Sequence, residues 1–264
     1  MQAKIEKLKV AVLNDVVHYQ WLTKEGIIDL NAAIGKNIKV KFNNEIRCSS
    51  CDAKTNKSFQ GFCFKCFSTS PENSECIIRP ELCRGHLGEG RDVEWEQKNH
   101  NQPHIVYLAA TSGVKVGVTR SSNALTRWID QGAKQTIILA EVPYRYLAGR
   151  IEVELKSFIS DKTNWQKMLK GEDDQTIDLL NFKNDLAREL PHDLQNFISA
   201  NDDITQLNYP IQQYPSKIKS INLDKDLEFN EKLAGIRGQY LIFESEKVIN
   251  IRKYSGYIVD IEII

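Results

Sequence analysis

All six cysteines of this 264-residue chain fall between Cys48 and Cys83, and that confinement limits the fold more than any other feature. Thiols spread along a chain staple it, whereas thiols gathered in one short stretch serve one local purpose. No apolar run approaches the ~20 residues needed to cross a bilayer, and Met1 to Leu13 lacks the long apolar stretch of a secretory leader. The expected setting is cytoplasmic, without membrane contact, and clustered thiols there are more often metal ligands or redox centres than disulfides. Two CxxC pairs, Cys48-Ser49-Ser50-Cys51 and Cys63-Phe64-Lys65-Cys66, are separated by eleven residues. Each pair turns two sulfurs and the intervening amides towards one point, so together they supply four thiolates to a closed tetrahedral site of the kind structural Zn²⁺ prefers. Such a site contributes folding free energy and leaves no position open for chemistry. A lone CxxC would also suit a thioredoxin-like pair, but that reading needs a βαβ context.

The paired knuckles resemble a zinc ribbon. Downstream, Cys76, Cys83 and His86, with His100 or His104, offer the donors of a second, mixed site, because zinc accepts thiolate and imidazole alike. The same residues suit an equally weighted reading, in which the thiols are small buried groups beside the ribbon and the histidines lie on the surface. Lys plus Arg and Asp plus Glu each number 35, so any surface for nucleic acid must come from local placement and not from net charge.

Hydrophobic periodicity predicts an α+β chain in four consecutive segments. Residues 1–47 form an N-terminal β unit, with strands at Leu8–Leu13 and Ile38–Phe42 and a turn at Asn43-Asn44. Residues 48–104 hold the ribbon and the Cys/His-rich stretch. Residues 105–203 form an α/β module built on a small three-stranded antiparallel sheet: a hairpin of Ile105–Ala110 and Val114–Val118, a helix over Ser122–Gln131, a strand at Ile137–Val142 and a helix over Tyr144–Ser160. In that last helix Leu147, Ile151, Leu155 and Phe158 share one face. A further helical stretch, Thr176–Ala200, is broken at Pro191. Residues 204–264 form a C-terminal small β sheet or barrel, with strands at Lys217–Leu223, Gln239–Phe243, Lys247–Arg252 and Tyr257–Ile263.

The hairpin, helix, strand and helix of the central module resemble the core of the GIY-YIG nuclease superfamily. Ile105-Val106-Tyr107 stands at the first motif, Lys115-Val116-Gly117 at the second, Arg127 at the helix arginine and Glu152 at the metal-binding glutamate, with Asn164 at the asparagine that often follows. The second motif departs from the usual tyrosine by having Lys115. The resemblance implies a catalytic set of Tyr107, Lys115, Arg127 and Glu152 with Mg²⁺ as cofactor, and nucleic-acid contacts from Arg120, Arg145 and Asn164. Phosphodiester hydrolysis needs an activated water, charge neutralisation and a stabilised leaving oxygen, which a proton relay, an arginine and a carboxylate-bound Mg²⁺ can supply. Each residue also has a plain structural reading: Tyr107 as a core aromatic, Arg127 stacked on Trp128 or paired with Asp130, Glu152 paired with Lys156.

Over nearly its whole length the chain also resembles a bacterial family known as domain of unknown function 2797. The resemblance rests on Val114–Arg120 with Arg127–Ala133, on Pro80–Cys83, on Asp161–Trp165 and on Gly238–Phe243. Three functions are expected in order: a zinc-ribbon protein that engages nucleic-acid phosphate and cleaves it with Mg²⁺, a non-catalytic RNA-binding module, and a zinc-dependent protein-interaction scaffold.

Overall fold

A computed structural model describes residues 1–159, 164–174 and 176–264. Residues 161–163 of the Asp161–Trp165 motif, and Ser160 at the expected end of a helix, lie outside the described residues. The described chain is a mixed α+β protein with three sheets, in two compact units assembled from discontinuous stretches. One comprises residues 1–68, 169–171 and 208–264, and the other residues 69–168 and 172–207. Both ends of the chain thus share one unit.

In the first unit the long strand Asn37–Arg47 is flanked by two antiparallel partners from the far end of the chain, Tyr257–Ile263 and Glu228–Arg237. Strict alternation explains its place. Ile38, Val40 and Phe42 are buried while Lys39 and Lys41 are exposed, so a slip of one residue would turn the apolar set to water. The eight-stranded sheet runs Gln2–Lys4, Tyr257–Ile263, Asn37–Arg47, Glu228–Arg237, Tyr240–Phe243, Lys247–Asn250 and Lys219–Ser220, with Lys54–Thr55 also paired to Asn37–Arg47. Its outer strands, Gln2–Lys4 and Lys219–Ser220, are not paired to each other, so the expected alternative of a C-terminal barrel is corrected to an open sheet shared with the N-terminal strands. A separate three-stranded antiparallel sheet joins Lys9–Leu13, Val16–Leu22 and Ile27–Asp29. Its first hairpin turns on Asn14 and Asp15, both at positive φ as a tight two-residue hairpin turn requires.

The expected turn at Asn43-Asn44 is also corrected. The strand continues through both residues, and Asn44 at φ 55° marks a bulge. There Tyr257 faces Ile46 and Val259 faces Phe42, so four steps on one strand match two on the other. The expected strand at Lys217–Leu223 shrinks to Lys219–Ser220, and Lys247–Arg252 stops at Asn250 before a 3₁₀ turn over Ile251–Tyr254.

The second unit is built on a four-stranded antiparallel sheet in the order Thr205–Gln206, Gln135–Val142, His104–Ala110, Val114–Arg120. The expected three strands are present, and a short fourth is added by chain that sequence periodicity had left irregular. Val106, Leu108, Ala110 and Val116 form one core with Ala148, Ile151 and Leu155 of the helix Arg145–Leu155 and with Leu179 and Leu186 of the helix Leu179–Glu189. Phe158 does not continue that apolar stripe: the helix ends at Leu155 and Phe158 is exposed. Leu179–Glu189 ends just before Pro191, which opens the short helix His192–Gln195, as the disfavoured helical backbone ahead of a proline requires. No helix among the described residues is long and apolar enough to cross a membrane.

One glycine fixes how the Arg145–Leu155 helix is seated. A Cβ on Gly149 would lie 2.1 Å from the Glu81 amide nitrogen and 2.3 Å from the Pro80 carbonyl carbon, so the backbone of the Pro80–Leu82 turn rests directly on the helix. We expect Gly149→Ala to destabilise the protein by about 2 kcal/mol or more, because backbone must move to admit the methyl; urea unfolding with an unchanged midpoint would contradict this packing.

Candidate functional site

The first cluster lies where the Asn37–Arg47 strand ends. Sγ atoms of Cys48, Cys51, Cys63 and Cys66 all lie within 4.8 Å of one another. The Cys51 and Cys63 sulfurs are 3.9 Å apart, close to the ~3.8 Å edge of a tetrahedron with Zn–S bonds of ~2.3 Å. The knuckles are held by backbone: Cys48 N–H donates to the Ala53 carbonyl, Asp52 N–H to the Cys48 carbonyl, and Ser49 N–H to the Gly61 carbonyl. Asp52, Gln60 and Gly61 take positive φ, which bends the chain back after the first knuckle and ahead of the second. The cluster is tied to the sheet by Arg47 N–H donating to the Gly256 carbonyl and by Ser58 Oγ donating to the Ser255 carbonyl. Asp52 pairs with Lys4 at 2.9 Å and with Arg47 at 3.2 Å.

Electrostatics match a cation site. Burial works to raise the Cys48 thiol, yet amide donors of Cys51, Cys63 and Ser50 bring it down to about 6. Cys66, hydrogen-bonded first to Cys51, is pushed up to about 12. Four neighbouring thiols cannot all ionise alone; a dication at their centre removes the mutual penalty and deprotonates the set. The residues present therefore fit a structural zinc ion.

A second donor group lies in the other unit. Cys76, Cys83, Glu96 and His100 are all buried, and their ligand atoms lie within 4.8 Å of one another. Of the five residues that the sequence suggested here, the structure gathers Cys76, Cys83 and His100. His86 instead stacks between Tyr144 and Tyr146, at ring separations of 4.7 and 5.0 Å. His104 is buried at the start of its strand with Nδ1 against the Gln102 carbonyl at 2.7 Å, and burial pulls its pKa down to about 4. Glu96 was missed. It precedes His100 by one helical turn in Val93–His100, so the signal was a Glu-x-x-x-His spacing on a single helix face. The hydrogen bond from Cys83 leads in drawing Cys76 down to about 4, while Cys83 is raised by the same sharing and burial raises Glu96.

The charged residues expected to carry catalysis lie in this second unit. Tyr107 faces Gly117 across the hairpin, and a Cβ on Gly117 would come within 2.6 Å of the phenol oxygen, so the ring covers a position only glycine can fill. Tyr107 is 0% exposed and its hydroxyl donates to Gln131 Oε1 at 3.0 Å. Burial raises its pKa, Arg127 pulls against that shift, and Glu152 adds to it. Lys115, which pairs with Ala109 in the same hairpin, is pulled down to about 7 by burial and by the charge of Arg127. The charge of Arg127 thus acts on both Tyr107 and Lys115, and that of Glu152 on Tyr107. The other expected contacts have local partners. Arg120 donates to Asn99 Oδ1 at 2.7 Å, Arg145 donates to the Cys76 and Ile77 carbonyls at 2.9 Å each, and Asn164 Oδ1 accepts from the Gln166 and Lys167 amides at 3.1 Å.

Fold and site together define a mixed α+β protein that carries a four-cysteine site suited to structural zinc. Its donors fall within a stretch shared with other chains. Residues 35–259 match the family model described as "Protein of unknown function (DUF2797)", and the chain belongs to that family. No curated protein and no solved structure matches it. The match carries no nuclease assignment, and the GIY-YIG resemblance draws no support from these comparisons.

If the four-cysteine cluster holds zinc, chelation should lower the unfolding temperature by several degrees, and Cys63→Ser should lower it similarly while blunting any further effect of chelator at that site. Thermal unfolding that is indifferent to both changes would remove the zinc.

Proposed function

We propose that the protein engages nucleic-acid phosphate through the Lys115 and Arg127 region of its four-stranded sheet and cleaves the phosphodiester with Mg²⁺. The observation that carries this reading is two cations in one neighbourhood, Lys115 buried on the Val114–Arg120 strand and Arg127 half-buried on the helix Ala124–Asp130, where the charge of Arg127 helps burial bring Lys115 down to about 7. Like charges held near each other attract a phosphate, and a perturbed group beside a second charge is a common mark of a functional site. Arg127 presents a planar fork to non-bridging oxygens, and Arg120 lies on the same hairpin's second strand.

Mg²⁺, when bound, would neutralise charge on the phosphate. Glu152, a half-buried carboxylate on the Arg145–Leu155 helix, is the residue that would hold it. A single carboxylate suits an ion that keeps several waters and takes substrate oxygens as further ligands. Tyr107 keeps its proton, since burial raises it, and its role is to hold Gln131 beside Arg127. The complete burial of Tyr107 favours a second reading, a non-catalytic RNA-binding module in which Arg120 and Arg127 contact backbone phosphate without hydrolysis.

Under the first reading Arg127→Ala and Glu152→Ala each abolish Mg²⁺-dependent cleavage with the fold intact; unchanged turnover in either variant rejects it. Under both readings affinity falls steeply with salt. Lys115 is charged below about pH 7 and neutral above it, so binding should weaken as pH rises through that value. Lys115→Met should flatten the profile; an identical profile in the variant would detach Lys115 from the phosphate.

A further inference from the structure

We propose that Cys76, Cys83, Glu96 and His100 hold a second zinc ion, in a closed site that seats the Arg145–Leu155 helix. The donors are spaced for it. His100 Nδ1 lies 3.5 Å from Cys83 Sγ and 3.8 Å from Cys76 Sγ, and a tetrahedron with Zn–S of ~2.3 Å and Zn–N of ~2.0 Å has an S···N edge of about 3.5 Å. Thiolate, imidazole and carboxylate are the three ligand types that zinc accepts from proteins.

Burial supplies a second, independent argument. Glu96 and His100 are 2% and 3% exposed, and Glu96 Oε2 is paired directly with His100 Nδ1 beside the two thiols. A carboxylate enclosed in this way is costly unless a cation accounts for it. The enclosure is built in: a Cβ on Gly90 would fall 2.4 Å from Glu96 Cγ, so only glycine lets the loop close over that side chain.

Charge balance points the same way. Two thiolates and a carboxylate around Zn²⁺ leave a single net negative charge, with His100 neutral. The half-buried guanidinium of Arg145 answers it, and its two hydrogen bonds to the Cys76 and Ile77 carbonyls hold the cysteine loop. Ser74 Oγ also lies 3.2 Å from Cys76 Sγ. The same loop reaches the helix at two more places, through the backbone contact over Gly149 and the stack of His86 between Tyr144 and Tyr146. An ion tying Cys76 and Cys83 to the Val93–His100 helix therefore fixes the surface on which the Arg145–Leu155 helix rests. All four donor positions are filled by protein, so the site is structural.

This inference does not rest on phosphate chemistry, and its readout is metal content. Purified wild-type protein is expected to carry about two zinc ions per chain. Cys83→Ser and Cys63→Ser should each retain about one, and the double variant almost none. Glu96→Gln, which keeps the side chain's size, should weaken the second ion at least tenfold in a chelator competition. In Cys83→Ser the amides of Arg145–Leu155 should exchange hydrogen faster than in the wild type. About one zinc in wild type, with Glu96→Gln and Cys83→Ser unaltered in metal content, would overturn the site, as would recovery of Cys76 and Cys83 as a disulfide. Two zinc ions with unchanged exchange over Arg145–Leu155 in Cys83→Ser would overturn the seating role.

Discussion

Backbone pairing of Asn37–Arg47 with strands that begin nearly two hundred residues later is the constraint on which the first unit depends. Its two long neighbours come from the C-terminal part of the chain, and the alternation of Ile38, Val40 and Phe42 against Lys39 and Lys41 leaves one register open. The four-cysteine cluster inherits its position from this pairing. Arg47 ends the strand by donating its amide to the Gly256 carbonyl, and Cys48 begins the first knuckle one residue later. A Cβ on Gly256 would lie 2.4 Å from the Arg47 carbonyl oxygen, so the approach of the two backbones leaves no room for any other residue.

In the second unit a comparable part is played by the loop that carries Cys76 and Cys83. It bears on the Arg145–Leu155 helix from outside while the sheet core of Val106, Leu108 and Val116 bears on it from inside. Glu152 is thus carried by an element gripped on two sides. The two donor groups differ in kind: four thiols, partly exposed, in one unit, and a buried mixed set in the other.

Much of this was legible in the residues. The CxxC pairs declared their cluster because the spacing itself places sulfurs together, and the hairpin, helix, strand and helix from His104 to Leu155 follow their apolar periods closely. What stayed hidden has physical reasons. Glu228–Arg237, the longest strand of the C-terminal stretch, begins with Glu228, Glu231 and Lys232 interleaved among apolar residues, and a charged, Ala- and Leu-containing run carries little strand signal. Asn43-Asn44 reads as a turn because asparagine tolerates left-handed backbone, and a bulge uses that same tolerance. Glu96 escaped notice because carboxylates are common on helices; only its burial sets it apart. The complete enclosure of the Tyr107 phenol, which packs against Trp128 at a ring separation of 6.0 Å, is announced by no local pattern.

The order in which these parts leave the ribosome follows from the strand pairing. Cys48 to Cys66 emerge within a short interval and can close on an ion at once, since everything they need is local. The Asn37–Arg47 strand beside them meets Lys54–Thr55 at its end at once, but gains Glu228–Arg237 on one side and Tyr257–Ile263 on the other only much later. Its outward lysines, Lys39 and Lys41, give that waiting strand charge that discourages pairing with a stranger. During translation the cysteine knuckle therefore stands beside a sheet that closes around Asn37–Arg47 only when Tyr257–Ile263 has paired with it.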